Sequence, residues 1–410
     1  MKRKIKFAIS MIAVFIIVFS AFISSAAAVN NEAAVAKFYS YEQKLLCISH
    51  RGDTAFYPEN SFEAIDSAFK KGADFVSVSL DKTKDGIFYL CERESLGNIC
   101  NAPYDTLSEI SSEELIKYSL FDIYGNETHY RPVSLVELLK NTDLNDGIIF
   151  DVCSEDKDAV YDILLKYNAL ERSVMRIDES SKKLIKWADS KPEKVNIIPI
   201  YNGNIIFSTI SEMKKITNAD MTALQYKSKN YFNVAYGSFF TDRYLTTANA
   251  RAVAATYSPD LCGQRGDGAD GWNELIRKGF SVIETNNIDS FVGYRKEAER
   301  LSAEISELIK KANYIDSDKY SDVSISNLNR AKLNGEALIS GIIFSLDEAQ
   351  QAYSNLLYAL EDMKISTGEV DTRGALNITA GKVVAAILVG AALLAGQIYV
   401  YKMRKKSKEK

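Results

Sequence analysis

Between residues 45 and 295, short apolar runs alternate with stretches whose apolar residues recur at helical spacing. The runs at 45–49, 75–80, 87–91, 147–152, 174–177, 196–200, 223–226, 253–257 and 281–284 predict strands. The stretches at 61–71, 134–140, 158–167, 180–190 and 210–217 predict helices. Strands separated by helices imply right-handed βαβ units and a parallel sheet. About eight such units in roughly 250 residues fit a closed (β/α)8 barrel, the TIM-barrel form of the α/β class. A doubly wound open sheet shares this pattern, although no GxGxxG follows the first strand, which counts against a dinucleotide fold.

From 297 to 365 the pattern becomes purely helical. Leu301, Ile305, Leu308, Ile309 and Ala312 form one stripe, Ile325, Leu328, Ala331, Leu338 and Ile342 a second, and Ala349, Ala352, Tyr353, Leu356 and Leu360 a third. Three stripes predict a small three-helix bundle. Residues 366–382 are polar and read as a linker. Residues 383–401 form an apolar run whose one strongly polar member is Gln397, long enough to span a bilayer core of roughly 30 Å. A basic tail, 402–410, follows directly, so the C-terminus is expected in the cytoplasm and the body outside. At the other end, 1–28 has the basic start, apolar core and Ala26-Ala27-Ala28 ending of a signal peptide; an uncleaved anchor is the alternative. The expected location is therefore the cell membrane, single-pass, with an extracytoplasmic body.

Charge narrows the partners. The chain carries a formal −4, with +4 in residues 1–28 and +5 in 402–410, so the residues between carry −13. An acidic body of that size excludes nucleic acid as the expected partner. Two histidines, His50 and His129, cannot build a multi-histidine metal site. Five cysteines match no zinc spacing, and an odd number leaves at least one thiol free unless chains cross-link.

The candidate chemistry gathers after the first predicted strand, at His50-Arg51-Gly52 and Pro58-Glu59-Asn60-Ser61. At the carboxyl end of a barrel strand, side chains point into the mouth where such folds place their sites. There His50 could shuttle a proton, Arg51 could fork onto phosphate or carboxylate oxygens, and Gly52 permits a close backbone approach.

Together with Lys71-Gly72-Ala73-Asp74, Thr83-Lys84-Asp85-Gly86, and the later Gly271-Trp272-Asn273-Glu274 and Val282-Ile283-Glu284-Thr285, these motifs resemble the glycerophosphodiester phosphodiesterases over residues 45–295. The resemblance implies a TIM barrel with a metal-assisted site that splits glycerophosphodiesters into glycerol phosphate and an alcohol. It also implies a Glu-x-Asp strand binding a divalent cation, and this chain has Ser77-Val78-Ser79 there. The family's second acid/base histidine is replaced by Glu92, and its Glu-x-Lys strand by Asp151-Val152-Cys153. Period-2 alternation puts Ser77 and Ser79 on one face of their strand.

Two neutral serines in place of two carboxylates remove most of the affinity for a hard cation, so Asp151 alone would hold Ca²⁺ or Mg²⁺ weakly and no tightly bound cofactor is expected. Without a cation, charge on the phosphoryl oxygens is poorly neutralised. His50, Arg51 and Glu59, with Gly52 and Asn60 supporting, remain as a half site suited to gripping an anion. The expectation is a degenerate, membrane-anchored phosphodiesterase-like protein that binds a glycerophosphodiester or phosphate. The alternatives are an active hydrolase using Asp151, Glu92 and Glu284 around a shifted metal, or a protein that works through the helical bundle. That segment resembles the FIVAR repeat, which implies a spacer or a module binding cell-wall glycan.

Overall fold

A computed structural model describes residues 34–40, 44–179, 181–202, 219–221, 223–227, 251–257 and 266–363. The predicted signal peptide, the helix at 210–217, the linker, the apolar run at 383–401 and the basic tail lie outside the described residues. Among the described residues, no helix is long and apolar enough to cross a membrane. The chain divides into two compact units, one of residues 1–301 with 340–350 and one of 302–339 with 351–410.

The first unit is built on β1 (Leu46–His50), β2 (Phe75–Lys82), β3 (Phe88–Leu90), β4 (Gly147–Val152), β5 (Ser173–Ile177), β6 (Val195–Asn202), β7 (Ala219–Met221), β8 (Ala223–Lys227), β9 (Arg251–Ala255) and β10 (Phe280–Thr285). The ladder runs β1-β10-β9-β8-β6-β5-β4-β2, and β2 pairs again with β1. Those eight strands are parallel to their neighbours and the ring is closed, which selects the barrel over the open sheet. β7 adds to β6 over Val195–Ile197, ahead of the β8 pairing, and β3 folds back antiparallel on β2.

Alternation divides the barrel interior into two storeys. Leu46, Ile48, Phe75, Ile149, Val174, Ile198, Val253 and Val282 fill the lower part. A 3₁₀ turn, Ala34–Phe38, packs its Ala34, Val35 and Phe38 into the same cluster and plugs it. Gly147 matters here: a β-carbon would lie 2.3 Å from the Phe75 ring, so only glycine lets that ring fill the core. Two residues further along the same strand faces, the apolar residues give way to polar ones: His50, Ser77, Asp151, Arg176 and Glu284. A parallel barrel delivers all of these to its C-terminal end.

The segments after the strands follow from local chemistry. Ser61 caps the helix Phe62–Lys71 by accepting from the Ala64 amide at 3.1 Å, and Gly72 ends it at φ 102°. Thr83–Gly86 turns the chain between β2 and β3, with the Ile87 amide donating to Thr83 Oγ1 at 3.1 Å. Asp85 accepts from the backbone and hydroxyl of Ser112 at 2.8 and 2.6 Å, and these bonds bring its carboxyl down to about 2. This hairpin carries Glu92 back toward the first strand.

The second unit contains the helix Asp322–Ser340 up to Ile339, together with parts of Ile288–Asn313 and Leu346–Glu361. Ile305, Leu308, Ile309, Ala312, Leu328, Ala331, Leu356 and Leu360 make its core, as the stripes predict. Ile342 departs from that pattern: it lies beyond the end of its helix and is 45% exposed. Gly335 lets the helices approach closely, with Ile305 3.1 Å from where a β-carbon would sit.

Candidate anion and active site

His50 ends β1, and its Nδ1 lies 3.4 Å from Glu284 Oε1 and 3.5 Å from Ser77 Oγ. Its ring stacks on Tyr257 with centroids 3.5 Å apart and planes within 5°. With Nδ1 committed to Glu284, Nε2 is the nitrogen left to meet a ligand. Arg51 follows with φ 59°, a left-handed conformation that a non-glycine residue adopts at a cost. Two backbone bonds hold it: its amide donates to the Ser77 carbonyl at 2.8 Å, and its carbonyl accepts from the Asn60 amide at 3.0 Å. Asn60 is itself left-handed and buried. Gly52, at φ 90°, presses on the helix Phe62–Lys71, where a β-carbon would lie 2.6 Å from the Ala64 backbone. Its close approach is thus to protein backbone and fixes the turn that aims Arg51.

The Arg51 guanidinium meets two carboxylates. Nη1 donates to both oxygens of Glu59 at 2.8 and 2.9 Å, and Nη2 to Glu92 at 2.5 Å. Burial works against the cation, but Glu59 and then Glu92 outweigh it and raise its pKa. Among the described residues, the buried Nε–H of Arg51 has no acceptor. Glu92, 54% exposed at its side chain, is ion-paired and open to water rather than buried as a general acid would need.

Behind His50 lies a charged network in which Glu284 and Arg176 are buried and Asp151 is part-exposed at the cavity. Glu284 is fully buried; it accepts from Ser77 Oγ at 2.5 Å and from Arg176 Nη1 and Nη2 at 2.6 and 3.1 Å. Arg176 also donates from Nη2 to Asp151 Oδ2 at 2.7 Å and from Nε to Asp151 Oδ1. β4 and β5 are in register at this pair, Asp151 opposite Arg176, so the strand pairing itself brings them together. Burial alone would push the Glu284 carboxyl up; Arg176 and then His50 overcome it and hold the carboxyl well below the usual range. Burial lowers and the two carboxylates raise the Arg176 guanidinium, and the carboxylates win. Tyr257 is pushed up by burial and by the Glu284 charge, so it stays a neutral phenol.

These residues open on a cavity of about 440 Å³ whose wall includes His50, Arg51, Ser79, Glu92, Asp151 and Arg176. Ser77 lies beneath it, wholly buried. The predicted site residues therefore converge at one end of the barrel, with Glu59 and Asn60 buttressing Arg51 from behind.

A divalent cation does not fit the groups present. It would need several anionic oxygens. Ser77 and Ser79 supply none, and the carboxylates of Asp151 and Glu284 are already bonded to Arg176. The weak cation site expected at Asp151 is thus taken by an arginine. Nearby, Cys153, Glu155 and Asp156 bring ligand atoms within 4.8 Å of one another, but Arg93 pairs with Glu155 at 2.8 Å and Lys82 with Asp156 at 2.5 Å.

The sequence reading missed Arg176 and Tyr257 and gave Glu284 only a secondary role. A signal was present for Arg176: a lone charge inside a short buried strand requires a partner.

Residues 50–229 match the glycerophosphoryl diester phosphodiesterase family. A glycerophosphodiester phosphodiesterase of Caldanaerobacter subterraneus subsp. tengcongensis is 27% identical over 142 residues, and the match spans 32% of this chain and 57% of that protein's length. A crystal structure of a glycerophosphoryl diester phosphodiesterase from Parabacteroides distasonis superposes with a TM-score of 0.52 at 17% identity, over 63% of this chain and 90% of that one. At that identity the likeness establishes the barrel fold alone.

Proposed function

We propose that this chain, through its glycerophosphoryl diester phosphodiesterase-type domain, binds a glycerophosphodiester or a related phosphate ester without metal-dependent turnover. One observation carries the reading: the anion-gripping half of the site is present and the cation-holding half is not. Arg51 stands at the cavity wall with an unspent buried Nε–H, while Ser77 and Ser79 bring no charge. Guanidinium matches phosphate oxygens without help from a metal. A ligand phosphate would displace the exposed Glu92 from Nη2, keep Glu59 as the backstop, and meet His50 at its outer nitrogen. Hydrolysis would additionally need neutralisation of charge building on phosphorus oxygens, and each such missing contact costs about 10² to 10³ in rate.

Titration calorimetry on the full chain, with glycerophosphocholine and inorganic phosphate in the presence of EDTA, tests the binding. Saturable binding that Arg51→Ala weakens roughly ten- to hundredfold is expected. Release of glycerol phosphate is measured in parallel with Ca²⁺ and with Mg²⁺. Robust metal-dependent release would overturn the reading and favour a rearranged hydrolase.

We also propose that the protein is exported and held at the cell membrane by residues 383–401, with a FIVAR-like module following the barrel. Support comes from the flanking sequence patterns. Protease added to intact cells should degrade the body; a protected body would refute the topology.

A further inference from the structure

We infer that Arg176 is a built-in replacement for a divalent cation: its guanidinium is the fixed positive charge that joins Asp151 to Glu284 at the floor of the site. This rests on the reading of that cavity as the phosphate-ester site. Four observations carry it. Arg176 is 2% exposed and still borders the cavity. It engages both oxygens of Asp151 and both of Glu284, so one side chain bridges two carboxylates from β4 and β10. Ser77, on β2, one of the two strands between β4 and β10 in the ring, donates to Glu284 where a carboxylate would repel it. The register places Asp151 beside Arg176, and β4 and β5 carry no other basic residue.

The charge balance explains the serines. One guanidinium offsets one of the two carboxylates, and the bonds from the Ser77 hydroxyl and the His50 ring stabilise the remaining charge. A glutamate at Ser77 or an aspartate at Ser79 would bring further negative charge that Arg176 cannot match. Arginine and the serines therefore form one compensated set. An arginine cannot be removed by a chelator, cannot dissociate and stays protonated, so the site's charge is independent of metal supply.

Restoring the two lost carboxylates should accordingly fail to create a metal site while Arg176 is present. The test uses Tb³⁺, a luminescent stand-in for Ca²⁺, with the full chain; Tyr257, which feels the charges of Glu284 and Asp151, serves as the antenna. Three proteins are compared: the unmodified chain, Ser77→Glu with Ser79→Asp, and the same pair with Arg176→Ala. We expect saturable sensitised emission in the triple variant alone, with at least about tenfold weaker binding in the other two, because anionic ligand count sets affinity for a hard ion. Equal binding by the double and triple variants would overturn the assignment, as would a folded triple variant that binds no Tb³⁺. A measurement on the unmodified chain keeps the inference exposed if the variants do not fold. Its melting temperature should be the same in EDTA and in millimolar Ca²⁺, and a Ca²⁺-induced rise that Asp151→Asn removes would overturn it. Phosphate binding in EDTA reads the function proposed above, so failure there and failure of the arginine assignment are separate results.

Discussion

Two arginines are buried inside the same barrel, one at each end, and among the described residues they meet different acceptors. Arg251, fully buried in β9, donates to the backbone carbonyls of Phe38, Ser40 and Lys44. It thereby ties the plug over the lower core through these carbonyls. Arg176, on β5, donates to two carboxylates at the upper end. The first arginine completes hydrogen bonds that a plugged barrel end would otherwise leave open. The second balances charge in a place that is hard to justify as stability alone, since buried ion pairs are often no better than apolar packing. A buried charge facing carbonyls indicates architecture; one facing carboxylates at the open end of a barrel indicates a site.

The most disruptive way to probe that contrast is Arg251→Met. Three carbonyl oxygens lose a donor, the Phe38 one buried and the Ser40 and Lys44 ones part-buried, and an acceptor left buried and unpaired costs about 1–3 kcal/mol. A loss of about 3 kcal/mol or more should appear as a melting temperature lower by about 6 °C or more. Phosphate affinity of the fraction that remains folded should not change. A large affinity loss without loss of stability would erase the distinction between the two ends.

Arg51→Ala should do the reverse. Removing a charge-assisted donor costs about 1.5–3 kcal/mol of binding, roughly ten- to hundredfold in affinity. Stability should fall little, because Arg51 pairs with the partly exposed Glu59 and Glu92. Calorimetry and a denaturant midpoint on the same sample separate the two effects.

How far the sequence carries this comparison depends on distance along the chain. The strand at 147–152 was legible to the residue, and so was the inward pairing of Ser77 with Ser79, because alternation is a local rule. The convergence of His50, Glu92 and Asp151 was legible because strand ends in a barrel share one rim. The role of Arg176 was not. Its meaning depends on Asp151 one strand away and on Glu284, 108 residues later, and neither partner is marked by local spacing. Arg251 was equally opaque, since its acceptors are backbone atoms more than 200 residues earlier. Nothing in the pattern before residue 45 announced a plug.

Acid titration sharpens the upper end further. Glu284 has a carboxyl depressed below its ordinary 4.5 by Arg176 and His50, against the effect of burial. A depressed carboxyl stabilises the fold in full above the ordinary value, and that contribution is lost as pH falls from about there through the lower folded value. Denaturant midpoints should therefore hold from neutral pH to about 4.5 and then decline. In Glu284→Gln the overall midpoint should be lower, and the part of the acid decline due to this group should vanish. An unchanged acid limb would mean that Glu284 is not ion-paired with Arg176 in solution.

The smallest expected effect is also the most specific, and it concerns Glu92. This carboxylate lies 2.5 Å from Arg51 Nη2 with a side chain 54% exposed, so the pair is a solvent-facing ion pair of small net value, about 0–1 kcal/mol. A phosphate that binds Arg51 must displace it, and the cost of displacement is subtracted from the observed affinity. Glu92→Gln removes the competing charge while keeping the side chain's length and a hydrogen-bond acceptor. Phosphate affinity should rise by up to about fivefold, the equivalent of that 1 kcal/mol. Glu59 supplies the control, because it grips Nη1 with both oxygens from the less exposed side and orients the fork. Glu59→Gln removes the same unit of charge but also loosens the guanidinium, so its gain should be smaller or reversed. Equal gains from the two substitutions would point to a general electrostatic effect and against Glu92 as the group that an incoming phosphate replaces.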